Sequence, residues 1–158
     1  MAENTDGIKI VGYCDDITPN YSCCRMVARK SWVEENPTTV KLLDEALLRA
    51  QCYFESHREE CVKMMAEQLD ADEEYVEAYM GKEEHYEVNV DTVRKTVLET
   101  WNYQKAVGLI DESVDDSVIE NAIYDDLYKA ALDACVEKYY DEDPDFWDAQ
   151  VKMFEEYN

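Results

Sequence analysis

Near the start of the chain stand Tyr21, Cys23, Cys24 and Arg25. Side chains of these types can stack, supply a thiolate and hold an anionic group. On a strand successive side chains alternate, so Cys23 and Arg25 would share one face. A guanidinium placed there could grip a carboxylate or oxyanion through two parallel hydrogen bonds. Arg25 could equally be a surface ion-pair partner in a very acidic protein. Tyr13, Tyr21 and Trp32 lie close enough in the chain to wall a pocket beside such a strand.

Other chemistry-bearing residues are scattered. Cys52, His57 and Cys61 are metal-ligand types, but they straddle an expected helix break at Ser56 and supply three ligands where tetrahedral zinc takes four. His85 is the nearest source of a fourth; the plain reading is two core cysteines and a surface histidine. The carboxylate clusters Asp15-Asp16, Asp115-Asp116, Asp125-Asp126 and Asp141 to Asp145 lack the calcium-loop pattern of alternating oxygen ligands, a glycine and a closing glutamate. They read as solvated acidic faces. The chain contains no GxSxG, P-loop, GxGxxG or HExxH sequence. Its six cysteines include no CxxC pair and predict free thiols in a reducing setting.

A formal charge of -23 repels nucleic acid and anionic lipid surfaces. At 158 residues, 46% of them hydrophobic, the chain is long enough to bury one core. Four glycines and three prolines provide little turn material for an all-β fold, so helix is the expectation. No apolar run reaches the length of a membrane span. Residues Met1 to Lys9 lack the basic start and apolar core of a signal peptide, which predicts a cytoplasmic chain.

The elements that would position these residues follow from pattern. Ile8 to Cys14 and Tyr21 to Ala28 are β-rich runs separated by a Thr18-Pro19-Asn20 turn. Ser31 and Glu34 have capping-box spacing. Asn36-Pro37 then starts a helix whose apolar stripe is Val40, Leu43, Leu47, Ala50 and Phe54. Ser56 and Glu59 predict the next helix start, with Val62, Met65, Ala66 and Leu69 inward. Shorter helices are expected from Asp72 to Gly81 and from Asp91 to Gly108. Another should open at Ser117 and run through Ile119, Ile123, Leu127, Ala130 and Ala134. Asp143-Pro144 opens a last one, with Phe146, Trp147, Val151 and Phe154 on one face.

From Tyr21 onward, Tyr-Ser-Cys-Cys-Arg, an apolar strand, Trp-Val-Glu-Glu-Asn-Pro and the helix bearing Val40 to Leu43, Ala46, Ala50 and Tyr53 resemble the nitrate/sulfonate/taurine-type substrate-binding proteins of ABC importers. The thiamine pyrimidine precursor synthases are related to that family. The resemblance covers about Gly12 to Leu132, with Val90 to Ile110 similar to the family's C-terminal helices. It implies a mainly α chain with a short N-terminal β element, forming part of a two-lobe α/β periplasmic-binding-protein (type II) fold. Residues 1–158 would be one domain: a strand and hinge segment over 1–30, a helical part over 31–132 and an acidic C-terminal helix over 133–158.

On this reading the chain is a truncated or split solute receptor for a small organic or anionic molecule. Tyr21 would stack on the ligand, Cys23 would line the cleft and Arg25 would neutralise the anion. Full-length members are periplasmic or at the cell surface. In the synthases a cysteine cluster at the position of Cys23 and Cys24 joins iron-dependent chemistry; only two of those cysteines stand here, so no enzyme activity, cofactor or metal is carried over. Missing strands would leave apolar helix faces exposed, predicting a homodimer or a complementary fragment as partner. The alternative is an acidic, non-catalytic helical interaction module that binds a basic partner through its acidic face and aromatic C-terminal helix.

Overall fold

The computed structural model describes residues 5–13, 16–17, 20, 24–81 and 88–158. Among them the regular structure is helical, and no strand is formed. Helix α1 spans Lys30–Glu35, α2 Pro37–Ser56, α3 Arg58–Leu69 and α4 Glu73–Val76, which runs into a π turn at Glu77–Gly81. After the second described stretch begins come α5, Arg94–Ala106, α6, Ser117–Glu120, and α7, Asp125–Tyr139. A 3-10 turn at Tyr140–Glu142 leads into α8, Pro144–Tyr157.

The expected N-terminal β element and the partial two-lobe α/β fold are thereby overturned. The described parts of both β-rich runs, 8–13 and 24–28, are neither strand nor helix. A strand needs a neighbour to take its backbone N–H and C=O groups, and no described segment pairs with either run. Val11 and Val27 stand 98% and 89% exposed, so the branched side chains that suggested strands have no sheet face to pack on.

Helix boundaries follow local chemistry. Pro37 occupies the first turn of α2, where its missing N–H is no loss. The Asn36 side chain, expected to cap α2, instead donates from Nδ2 to the Trp32 carbonyl at 2.8 Å and so closes α1. Asp72 caps α4 by accepting from the Glu74 N–H at 2.9 Å, and Asp143 caps α8 by accepting from the Phe146 N–H at 3.1 Å. Ser56 caps nothing: its Oγ donates to the Cys52 carbonyl at 2.7 Å within α2. Asp70, left-handed at φ 51°, ends α3 by letting the Ala71 N–H reach back to the Ala66 carbonyl. The helix expected from Ser117 onward is two helices, broken at Asn121–Tyr124, where Asn121 Nδ2 turns back to the Ser117 carbonyl at 2.7 Å. The position between 132 and 133 falls inside α7.

Among the described residues, two clusters are buried. In the larger, Leu48 of α2 meets Tyr128, Ala131, Leu132 and Cys135 of α7 and Phe146 and Trp147 of α8. Leu48, Leu132 and Trp147 are fully buried, and each contributes about 1.5–3 kcal/mol by leaving water. The Trp147 indole N–H is satisfied by the Tyr139 carbonyl at 2.9 Å. The smaller cluster lies at the far end of α2, where Phe54 packs with Val62 and Ala66 of α3, Val76 of α4 and Met80 of the π turn. Helix α2 thus joins both clusters and is the element about which the others are arranged.

Candidate interaction surface

The side of α2 that enters the core is its polar one. Asp44, Leu48 and Gln51 are buried, and the expected stripe of Val40, Leu43, Leu47 and Ala50 is not: Leu43 is 40% exposed and Ala50 is exposed. Only Phe54 is common to both. All five charged residues of the helix, Lys41, Asp44, Glu45, Arg49 and Glu55, are buried or half-buried. Their partners explain why. Glu45 accepts from Lys41 on its own helix and from Lys138 of α7 at 3.0 Å, an arrangement that holds its carboxyl below the usual range. The Arg49 guanidinium lies 3.8 Å from the Tyr139 ring centroid and 3.3 Å from Glu142. Glu55 pairs with Arg58, whose guanidinium covers the Phe54 ring.

Polar groups continue into the interior. Gln51 Oε1 accepts from the Val90 N–H at 3.2 Å, and its amide donates to Gln150 of α8 at 3.4 Å. Burial raises the Asp44 carboxyl to about 6. Asp91, 1% exposed, is also raised by burial, against its bonds from the Val93 N–H and Asn158 and the nearby Arg25 charge. Tyr128 on α7 is 1% exposed, and desolvation followed by the charges of Asp91 and Asp44 pushes its hydroxyl far above the usual value.

What remains outside is uncharged. The exposed residues of α2 are Pro37, Thr38, Thr39, Leu42, Leu43, Ala46, Ala50, Tyr53 and Ser56. Leu42 is 57% exposed and Tyr53 43%. At 3.6 residues per turn, Leu42, Leu43, Ala46, Ala50 and Tyr53 lie along one stripe. A helix on the surface of a globular protein ordinarily shows the reverse, with charge outward. Here Glu45 and Arg49 of α2 are paired with Lys138 and Glu142, Leu48 and Phe54 fill the cores, and Leu42, Leu43 and Tyr53 are left exposed, in a chain of charge -23. Near its end Tyr53 stacks on His57, ring centroids 4.1 Å apart and planes within 3°.

Of the residues expected to bind a solute, Tyr21 and Cys23 lie outside the described residues. Arg25 is half-buried; its guanidinium donates to the Cys24 carbonyl at 2.8 Å and its charge is felt by Asp91. Cys24 is exposed. Cys52 packs on the larger cluster and Cys61 on the smaller, so the two thiols serve separate cores, and His57 Nδ1 is engaged with the Tyr53 carbonyl at 3.0 Å. No cluster of three metal-ligand side chains occurs among the described residues. His85 lies outside them.

The acidic pairs have structural partners. Asp116 accepts from the Trp101 indole at 2.7 Å and from Lys105, and Asp115 from the Ser117 N–H at 2.8 Å. Asp125 pairs with Arg94 at 3.3 Å. The aromatic side of α8, which the interaction reading uses as a contact surface, is turned inward: Phe146 and Trp147 are buried, and Val151 and Phe154 pack against them. Of the stripe expected to face the core, Phe54 is buried, Val40 and Leu47 are half-buried and Leu43 and Ala50 are exposed, so the outward stripe shares only those last two with it.

No helix among the described residues is long and apolar enough to cross a membrane. Compared with protein-family models, curated proteins and solved structures, the chain matches none of them.

Proposed function

We propose that the chain is a non-catalytic helical interaction module whose contact surface is the outward stripe of α2. One observation carries this reading: the exposed residues of the longest helix are uncharged, while its charged residues are buried or half-buried, Arg49 being paired with Glu142 and stacked on Tyr139. Leaving Leu42, Leu43 and Tyr53 in water forgoes about 25 cal/mol for each Å² of apolar surface, a loss recovered when a partner covers them. Contiguous exposed apolar surface of this kind marks protein contacts. The solute-receptor reading depends on a two-lobe α/β cleft, and with the fold overturned nothing in the described residues supports it.

The reading is tested by hydroxyl-radical footprinting of the dilute purified chain and of the same chain inside the cells that make it. Leu42, Leu43 and Tyr53 are expected to oxidise readily in the dilute chain and to be protected in cells. Equal oxidation in both settings would show that nothing covers the stripe.

A further inference from the structure

The two clusters hold their helices unequally. Leu48, Ala131, Leu132, Cys135 and Trp147 of the larger one are wholly out of water, while every buried member of the smaller one keeps some exposure. The smaller cluster also has five buried side chains against seven. Helix association follows apolar burial, so the smaller cluster is the weaker of the two. Its cover is short as well: α4 is a single turn and the π turn adds five residues, and helices of that length are not stable alone. Segment 58–81 carries eight carboxylates against two cations, so the acidic remainder of the chain repels it.

The chain enters this segment at His57, whose backbone leaves the helical region at φ -135° and ψ 38° between α2 and α3. On the return path Val88 packs on the smaller cluster and Val90 on the larger, so the boundary there falls at Asn89. One residue at each crossing is enough to take up a rotation. The catch between the two sides is Arg58. It pairs with Glu55 of α2, donates to the Met80 carbonyl of the π turn at 3.3 Å and covers the Phe54 ring, joining three elements through one side chain.

We infer that segment 58–81 is a hinged cover over Phe54, which opens as one unit about His57 and Asn89 while the cluster of α2, α7 and α8 stays closed. Opening parts Phe54 from Val62, Ala66, Val76 and Met80, uncovering an apolar lining that the closed chain does not present. It also brings the half-buried Cys61 thiol into water. In the closed chain burial pushes that thiol up, which makes it a poor nucleophile. This motion is separate from whatever contact α2 makes with its outward stripe.

The experiment is amide hydrogen exchange of the whole chain, read by mass spectrometry from zero urea to just below the unfolding transition, alongside alkylation by N-ethylmaleimide without urea. Wild type is compared with Val76→Ala, which removes two methyl groups from the smaller cluster, and with Arg58→Gln, which releases the catch and leaves the packing in place should Val76→Ala not fold. In wild type the amides of α3 should exchange about tenfold or more faster than those of α7, after correction for sequence. Each variant should speed α3 exchange and Cys61 alkylation together, by about fivefold or more, and leave α7 exchange and Cys135 alkylation unchanged. Exchange of α3 and α7 at one rate with one urea dependence would overturn the inference, because the chain would then open only as a whole. Variants that speed α7 and Cys135 as much as α3 and Cys61 would overturn it too.

Discussion

At Asp44 a carboxylate faces Tyr128 and the main core, where an apolar residue would cost less. Its burial raises the carboxyl to about 6, against 3.8 for an ordinary aspartate. The folded chain therefore holds this proton more tightly than the unfolded one does. The resulting stability is fully present below the unfolded value and is lost as pH rises through about 6. The carboxyls of Glu45, Asp111, Asp115 and Asp116 are shifted the other way, by their hydrogen bonds. Their contribution is present above the ordinary carboxylate range and falls away below it, so the two effects occupy different windows. Urea unfolding from pH 4 to 8 should show stability declining as pH rises through 6. Asp44→Asn should flatten that decline and stabilise the chain at pH 8, on the order of 1–3 kcal/mol. An unchanged slope in the variant would place the titration elsewhere.

At the scale of elements, the sequence was legible where a signal is local and less so where it depends on a neighbour. The starts of α2, α4 and α8 coincide with Pro37, Asp72 and Asp143-Pro144, because a cap or a proline acts within its own turn. The inward faces of α2 and α7 each lie one residue on from the apolar stripe. Burial falls on 44, 48 and 51 rather than 43, 47 and 50, and on 128, 131, 132 and 135 rather than 127, 130 and 134. Helix α2 gains its ion pairs to Lys138 and Glu142 only in that orientation, and no reading of one helix at a time contains them.

A second example is α5. Asp91 accepts from the Val93 N–H at 2.7 Å, and Asn158, just past α8, completes the cap. Asn158 Oδ1 accepts from the Thr92 hydroxyl at 2.8 Å and the Arg94 N–H at 3.0 Å, while its amide donates to Asp91 at 2.7 Å. These bonds hold Val93, fully buried, at φ 42°, a conformation that β-branched residues rarely adopt. Asn158→Ala should lower unfolding stability by about 1–2 kcal/mol and speed amide exchange at the start of α5. Wild-type stability and exchange would show that Asn158 does not hold the helix.

For the molecule as a whole, composition foretold helix and acidity, and the structure is helical wherever regular structure is described. The strand reading failed because Ile8, Val11 and Val27 have β-forming side chains but no described neighbour to pair with, and propensity alone cannot supply one. Of the expected site, Arg25 is near enough for its charge to act on Asp91, and of the expected α2 stripe Leu43 and Ala50 face outward while Phe54 is buried. That stripe was visible as a pattern; the direction it faces was decided by the rest of the bundle.

The orientation of α2 can be read from a charge introduced on either side of the helix. Leu43→Lys and Leu48→Lys place the same new side chain on the same helix, five residues apart. Urea unfolding of each is compared with wild type, at dilutions where the chain is monomeric. The orientation predicts a change within about 0.5 kcal/mol for Leu43→Lys, and for Leu48→Lys a loss of about 4 kcal/mol or more, from an unpaired buried charge and lost packing. The opposite order, with lysine tolerated at 48 and ruinous at 43, would show that α2 faces its neighbours with the apolar stripe and would contradict the account.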